Sequence, residues 1–562
     1  MRDGRKLRFC RSLHHKKRWR LLMVCKGRKH VMPTRRFVLA ASAAGALAGP
    51  FSREGRAQTP ANIVVTADRI DDAVSFDPAE AYEYTTGEIA ANCYQRLVRP
   101  AAEDASQLVG DLARTWDVSP DGHIFTFHLK QDQRFASGNP VTAEDVVFSL
   151  RRVVTLGKSP SFILTQLGLA PDNVEKRIRA TDARTVVIEC SEAVAPTFFL
   201  YSISAGIGGV VEKSVALAHA QGEDLGNAWL KQNTAGSGPF TMRVWKPSDN
   251  IMLEANPHAT EPVRIRRVAI RHMPEPSTRL LSLRQGDADI ARRLGAEELN
   301  QAEADQKLRI SSSPKASLLY LGLSGRHPAL SRPEVRQAIK WAIDYDGIQR
   351  NLVPRNYVVH QSHQPTGFPG ALDDKPFSRQ MDKARALMKQ GGFAEGFEAA
   401  FDYTASNPFN DIAQAIQANL ADLGIRLRMT PSEGRQMLTR YRGRQTDIVL
   451  TRWGSDFLDP HNNADFMLFN ADNTEASRSR NAAWRNSFQD AEVNQKVLAA
   501  RSERDTAKRL AMYHELQRLD QQRGPNVWLL QEVEPVAANI RTTGLKIGLL
   551  FDGTSYRDLQ KT

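Results

Sequence analysis

Apolar positions along the chain switch between a period of two and a period near 3.6, and this interleaving predicts a mixed α/β protein. Residues 62–66 hold the continuous apolar run Ile63, Val64 and Val65, the pattern of a strand covered on both faces. Asp77 and Pro78 follow in a turn, where Asp77 bonds its own backbone and proline fixes φ. Ile89, Cys93 and Leu97 share one helical stripe and predict a helix over 87–98. Between 112 and 130, Trp116 and Val118 alternate, Pro120-Asp121-Gly122 turns, and Phe125, Phe127 and Leu129 alternate again, which reads as a β-hairpin. Thr142 then caps a predicted helix, with Glu144 and Asp145 in its first turn and Val146, Leu150 and Val153 on its buried stripe. Val335, Ala338, Ile339, Ala342 and Ile343 mark a packed helix rather than a site. Residues 411–423 carry another helical stripe and pass through Gly424 into the alternating Ile425, Leu427 and Met429, a helix–glycine–strand unit.

The stretch 447–460, D-I-V-L-T-R-W-G-S-D-F-L-D-P, follows that unit. Ile448, Val449 and Leu450 predict a strand buried on both faces, which breaks into Trp453, Gly454, Ser455 and Asp456. Ligands of open α/β sheets bind beyond the carboxyl ends of strands, so Trp453 and Asp456 are expected at a cleft mouth. An aromatic wall beside a carboxylate suits an organic cation, because the ring face and the charge both attract it. The same residues also fit core packing for Trp453 and a helix cap or turn for Asp456. Asp459, followed by Pro460, reads as a turn.

Charge changes the picture only at the amino terminus. The first 57 residues hold 16 Lys and Arg against Asp3 and Glu54, and subtracting that +14 from the chain's +13 leaves −1. Basicity is therefore a leader property and gives no reason to expect a nucleic-acid or membrane surface. Arg35-Arg36 followed by an Ala-rich run ending near Gly49 reads as a twin-arginine export signal beginning at about Met32, with cleavage expected after Ala57. No cysteine follows the apolar run, so no lipid anchor is expected, and no later stretch reaches transmembrane length. Cys93 and Cys190 remain in the mature part, open either to pairing in an oxidising compartment or to burial as thiols. About 500 mature residues exceed a single core, so two or three domains are expected.

Motifs for catalysis are lacking. His360 and His363 lie in a loop with Pro365 and Gly367, there is no H-E-x-x-H, no P-loop and no dinucleotide fingerprint, and G-x-S-x-G is absent around Ser237. Gly236 and Gly238 are instead expected to supply φ freedom at a crossover between domains. The expectation is no enzyme, no cofactor and no metal. The rival from another class is a secreted hydrolase.

Six blocks in order carry a family resemblance: the hairpin and helix of 112–152, Gly236-Ser237-Gly238-Pro239-Phe240 with Trp245, the 283–289 run L-R-Q-G-D-A-D, the helix of 332–344, and the stretches 383–397 and 513–525. Together they resemble the family 5 extracellular solute-binding proteins, the peptide, nickel and opine receptors of ABC importers. The resemblance implies a two-lobe periplasmic binding protein fold with a hinge and an extra subdomain inserted in the first lobe. It places lobe I at 58–96 and 233–315, the inserted subdomain at 97–232, lobe II at 316–524, and a C-terminal return to lobe I at 525–562. It also implies a monomer that captures a small solute in the periplasm and docks on an inner-membrane ABC permease. Peptide carriers of this family hold the ligand's α-amine on the aspartate of W-x-x-D-x-x-[DE]-P, matched here by Trp453, Asp456, Asp459 and Pro460. Dipeptide-binding relatives supply an arginine for the ligand carboxylate where this chain has residues 404–408, T-A-S-N-P, with nothing basic. Arg452, Arg440 and Arg444 are the candidate substitutes, and Tyr82, Tyr84 and Ser406 are further candidate ligand contacts. The run ending at His461 is similar to nickel-chelate receptors, so a nickel-chelate or opine-type ligand stands as the alternative to a peptide.

Overall fold

Two strands, Leu308–Leu323 and Asn526–Asn539, run antiparallel through the middle of an 11-stranded sheet and belong to both halves of it. The computed structural model describes residues 59–562 except 102, 103 and 478, so the twin-arginine motif, Met32 and the cleavage expected after Ala57 lie outside the described residues. Toward one side, Asn526–Asn539 pairs with Ile290–Ala291, and the sheet continues through Ile63–Asp68, Arg267–His272, Asn250–Ala255 and Phe240–Lys246. Toward the other, Leu308–Leu323 pairs with Ile448–Gly454, followed by Glu398–Thr404 and Arg426–Ser432, which run parallel to one another. The ladder between the two long strands slips between Pro314 and Leu318 and again between Leu319 and Tyr320. A proline without an N–H and a bulge bend a strand at such a point. The result is a two-lobe α/β fold in which the lobes share a pair of bent strands.

A separate antiparallel sheet of Ala113–Val118, Ile124–Leu129, Thr185–Glu189 and Ile178–Asp182 stands within the 97–232 segment. The 112–130 hairpin forms as its alternation requires, turning at Gly122 with φ +78°. Helix Ala143–Leu156 covers this sheet. Thr142 and Asp145 close its amino end reciprocally, with the Thr142 amide and hydroxyl donating to Asp145 Oδ2 at 3.0 and 2.6 Å. Its buried Arg152 reaches back to the Asp77 turn in a bidentate pair, where both partners are sealed from water.

Two local expectations are corrected. The helix expected over 87–98 spans Tyr84–Cys93. Tyr94 leaves in an extended conformation because Val98 is drawn into a strand pair with Gly110, so tertiary hydrogen bonding overrides the apolar stripe. Gly236 and Gly238 do not occupy positive φ. They are needed for close approach: a Cβ at Gly238 would stand 2.5 Å from the Cys93 carbonyl carbon, and the Gly238 amide donates to the Cys93 carbonyl at 3.0 Å.

Candidate functional site

The strand Ile448–Gly454 delivers the site. Ile448, Val449 and Leu450 are fully buried, as a doubly covered strand requires. Pairing continues past the expected break, with Thr451, Arg452, Trp453 and Gly454 opposite Tyr320, Leu319, Leu318 and Ser317. Strand alternation therefore sends Arg452 and Trp453 to opposite faces. Trp453 stacks on Phe466 at 4.6 Å between ring centroids, the planes 7° apart. Arg452 approaches Glu532 at 3.7 Å and the Tyr84 ring at 5.9 Å. Burial acts to lower its pKa, but Tyr84, Glu532 and Tyr357 offset this, and the net shift is upward.

Past the strand, the chain folds onto the start of helix Pro460–Leu468. The Ser455 hydroxyl donates to Asn463 Oδ1 at 2.9 Å, and the Asp456 amide donates to Asn462 Oδ1 at 2.9 Å. Asp459 caps the helix by accepting from the His461 amide at 2.9 Å. Its carboxylate also receives both arms of the buried Arg509, at 2.6 and 2.7 Å, so this aspartate is a turn residue with an internal partner.

Asp456 is different. It is only 7% exposed, and its partners are neutral: Asn462 Nδ2 donates to Oδ2 at 3.3 Å, and the Tyr82 hydroxyl donates to Oδ1. Among the described residues no cation forms an ion pair with it. Burial pushes its carboxyl up to about 6; the hydrogen bonds from Tyr82 and Asn462 oppose that shift, and Asp552 adds to it. Tyr82 comes from the other half of the sheet, just ahead of helix Tyr84–Cys93, and is wedged edge-on against Phe162 and Phe551. A residue from each half thus closes over the same carboxylate.

The remaining candidates are dispersed. Tyr84, buried enough to raise its pKa, packs on Phe551 and lies beside Arg452 rather than Asp456. Ser406 is exposed beyond Glu398–Thr404, its carbonyl accepting from the Asn410 amide. Arg440 is held by Asp402 at 2.7 Å, and Arg444 by Asn473 and the Trp484 carbonyl while stacked on the Trp484 ring. Asn462 and Phe466 were not singled out from the sequence, although their four-residue spacing after Asp459-Pro460 was a readable helical signal.

The histidines serve the interior. His360 donates its Nε2–H to the Gln364 carbonyl at 2.8 Å, and burial lowers its pKa to about 4. His363 meets Asp520 at 2.9 Å, and His461 lies edge-on to Phe198, held well below its ordinary pKa by burial. Among the described residues no group of three or more His, Cys, Asp or Glu is placed to hold a metal ion. Cys93 and Cys190 are separate buried thiols, each pushed up to about 12 by burial. No described helix is long and apolar enough to cross a membrane.

Comparison with known proteins gives this geometry a context. The chain is 28% identical over 480 residues to the probable D,D-dipeptide-binding periplasmic protein DdpA of Escherichia coli, covering 84% of this chain and 89% of that protein. Its fold matches the periplasmic binding protein DppA of Helicobacter pylori in complex with the peptide STSA, with a TM-score of 0.73, 24% identity, and coverage of 89% and 98%. NikZ of Campylobacter jejuni in complex with Ni(L-His) has the same fold, at a TM-score of 0.71, 21% identity, and coverage of 90% and 100%. The family of bacterial extracellular solute-binding proteins, family 5 (Middle), matches residues 107–475, and the chain belongs to that family.

Proposed function

We propose that this solute-binding protein captures a peptide or another amine-bearing solute between its two lobes in the periplasm and delivers it to the permease of an ABC importer. The observation that carries the reading is Asp456, a buried carboxylate with neutral partners only, covered by Tyr82 from the opposite half. An isolated buried charge is costly, and an ammonium group entering the site supplies the missing partner. Trp453 and Phe466 provide an aromatic wall close in sequence to that charge. Relatives whose names record dipeptides, and a structural neighbour solved with a peptide, support the peptide class.

The hinge in this reading lies at the register breaks, with one crossing at Pro314–Leu318 and the other at Gln531–Val533. Ligand stabilises the closed arrangement because only there does it meet groups from both lobes. The protein works as a monomer, carries out no reaction, and leaves transport energy to the partner ATPase.

Native mass spectrometry of the purified protein, followed by calorimetry with the solute released from it, tests this. A stoichiometric amine-bearing solute that rebinds without chemical change is expected. Turnover of a peptide library into products would favour the hydrolase instead.

A further inference from the structure

Helix Pro196–Ser204 of the 97–232 segment is apolar nearly all round and buried from Phe198 onward, so it packs on more than one partner. Proline in its first turn starts it, and the carbonyl of its last residue, Ser204, accepts from Arg96, a buried guanidinium paired with Asp552 at 3.1 Å. Together with Arg152 on Asp77, this pair anchors the segment on the side that supplies Tyr82. The other side of the helix meets residues from 316–524. Phe198, fully buried, lies edge-on to His461 at 4.9 Å, and its ring centroid is 6.1 Å from that of Phe457. Phe457 and Leu458 follow Asp456 directly, yet both are sunk in the apolar core that the 97–232 segment mainly builds. The hydrogen bonds around this contact use neutral acceptors. Arg501 donates to the Gln166 carbonyl at 2.9 Å, and its own carbonyl accepts from the Ala195 amide at 3.2 Å. Arg509 donates to the Thr197 hydroxyl at 2.9 Å, and Arg504 donates to the Pro120 carbonyl. Water replaces such acceptors readily when two surfaces part, and replaces a buried ion pair poorly, so this contact is suited to breaking and re-forming.

We propose that Phe198 is a positioning residue for solute capture: closing of the lobes seats Phe457 and Leu458 against helix Pro196–Ser204, and this holds Asp456 in the geometry that meets the solute. The inference rests on the lobe-closure reading above and extends it to the 97–232 segment, which becomes the clamp on the Asp456 loop. The connection is short. Phe457 is the next residue after Asp456, and the Asp456 amide is bonded to Asn462 on the helix that carries His461. Phe198 thus packs on both ends of the loop while touching neither Asp456 nor its hydrogen bonds. Removing its ring leaves Phe457 and His461 without a packing partner, so the closed form is populated less and the apparent affinity falls in the same proportion.

The test uses the full mature protein and a pool of di- and tripeptides with free amino ends, followed by stopped-flow mixing and by amide hydrogen exchange. In wild type, saturation with the pool is expected to slow exchange at residues 195–199 and 456–459 together. Phe198→Ala is expected to raise the dissociation rate about 10- to 100-fold and to change association by less than about threefold, the usual division for interface variants. Phe198→Leu, which keeps much of the buried volume, should retain most of the wild-type residence time. Arg504→Ala removes an exposed bond to the Pro120 carbonyl and should raise dissociation about two- to tenfold with an unchanged urea midpoint, so the result does not depend on a core variant folding. Wild-type release rates in both Phe198→Ala and Arg504→Ala, or equal exchange at 195–199 with and without the pool, overturn the clamp and leave the Asp456 reading intact. Failure of the pool to bind wild type overturns the peptide form of the capture reading and, with it, the clamp.

Discussion

Asp456→Asn should move binding and stability in opposite directions. Asparagine is nearly isosteric, and its Oδ1 can still accept from the Tyr82 hydroxyl, so the closed geometry survives. Binding loses the charge that meets the ammonium. Removing one partner of a buried pair costs about 3–5 kcal/mol, or roughly 150- to 5,000-fold in affinity. The unliganded protein, however, loses a burden. The Asp456 carboxyl is raised from 3.8 to about 6, so its ionised form disfavours the folded state. The sign follows: a carboxyl with a raised folded pKa costs nothing below about pH 4, costs progressively more as pH climbs from 4 to 6, and reaches a plateau above that. The plateau is about 3 kcal/mol, from roughly two pKa units at 1.36 kcal/mol each. Urea unfolding of ligand-free protein at pH 7.5 and pH 4 measures this directly. The variant should be the more stable by up to about 3 kcal/mol at pH 7.5 and equal to wild type at pH 4. A variant less stable at pH 7.5, or one that binds the solute unchanged, refutes the reasoning.

Three further outcomes follow from neighbouring contacts. Tyr82→Phe removes the hydroxyl that donates to Asp456 and should weaken ligand binding by about 1.5–3 kcal/mol in calorimetry while shifting the midpoint of its pH dependence upward. Arg509→Met leaves the Asp459 carboxylate buried without its partner and should lower unfolding free energy by about 3–5 kcal/mol, read by urea titration; an unchanged midpoint would argue against a closed ion pair. Gly238→Ala drives a methyl group to 2.5 Å from the Cys93 backbone, and a loss of about 1–3 kcal/mol or more is expected, measured by thermal unfolding.

Much of the fold was legible because its elements obey single periodicities. The 112–130 hairpin, the Thr142 cap and the doubly buried Ile448–Leu450 run appear where their patterns place them. What the sequence could not carry is partnership over distance. The helix predicted over 87–98 stops at Cys93 because Val98 pairs with Gly110 and Gly238 presses on the Cys93 carbonyl, contacts that no local stripe reports. The same limit applied to the site. Asp456 and Trp453 could be singled out from one strand, whereas the pairing of Tyr82 with an aspartate 374 residues away exists only in three dimensions. Arg440 and Arg444 were equal candidates in the sequence, and the structure ties each to an internal partner.

In the proposed function, the Asp456 carboxylate, closed over by Tyr82, takes a cation as its partner. A crystal structure of the protein with its co-purified solute tests it most directly. The account predicts an ammonium nitrogen within hydrogen-bonding distance of Asp456, with Tyr82 closing over the pair. A solute bound elsewhere, with Asp456 open to water or still bonded only to Tyr82 and Asn462, would contradict it.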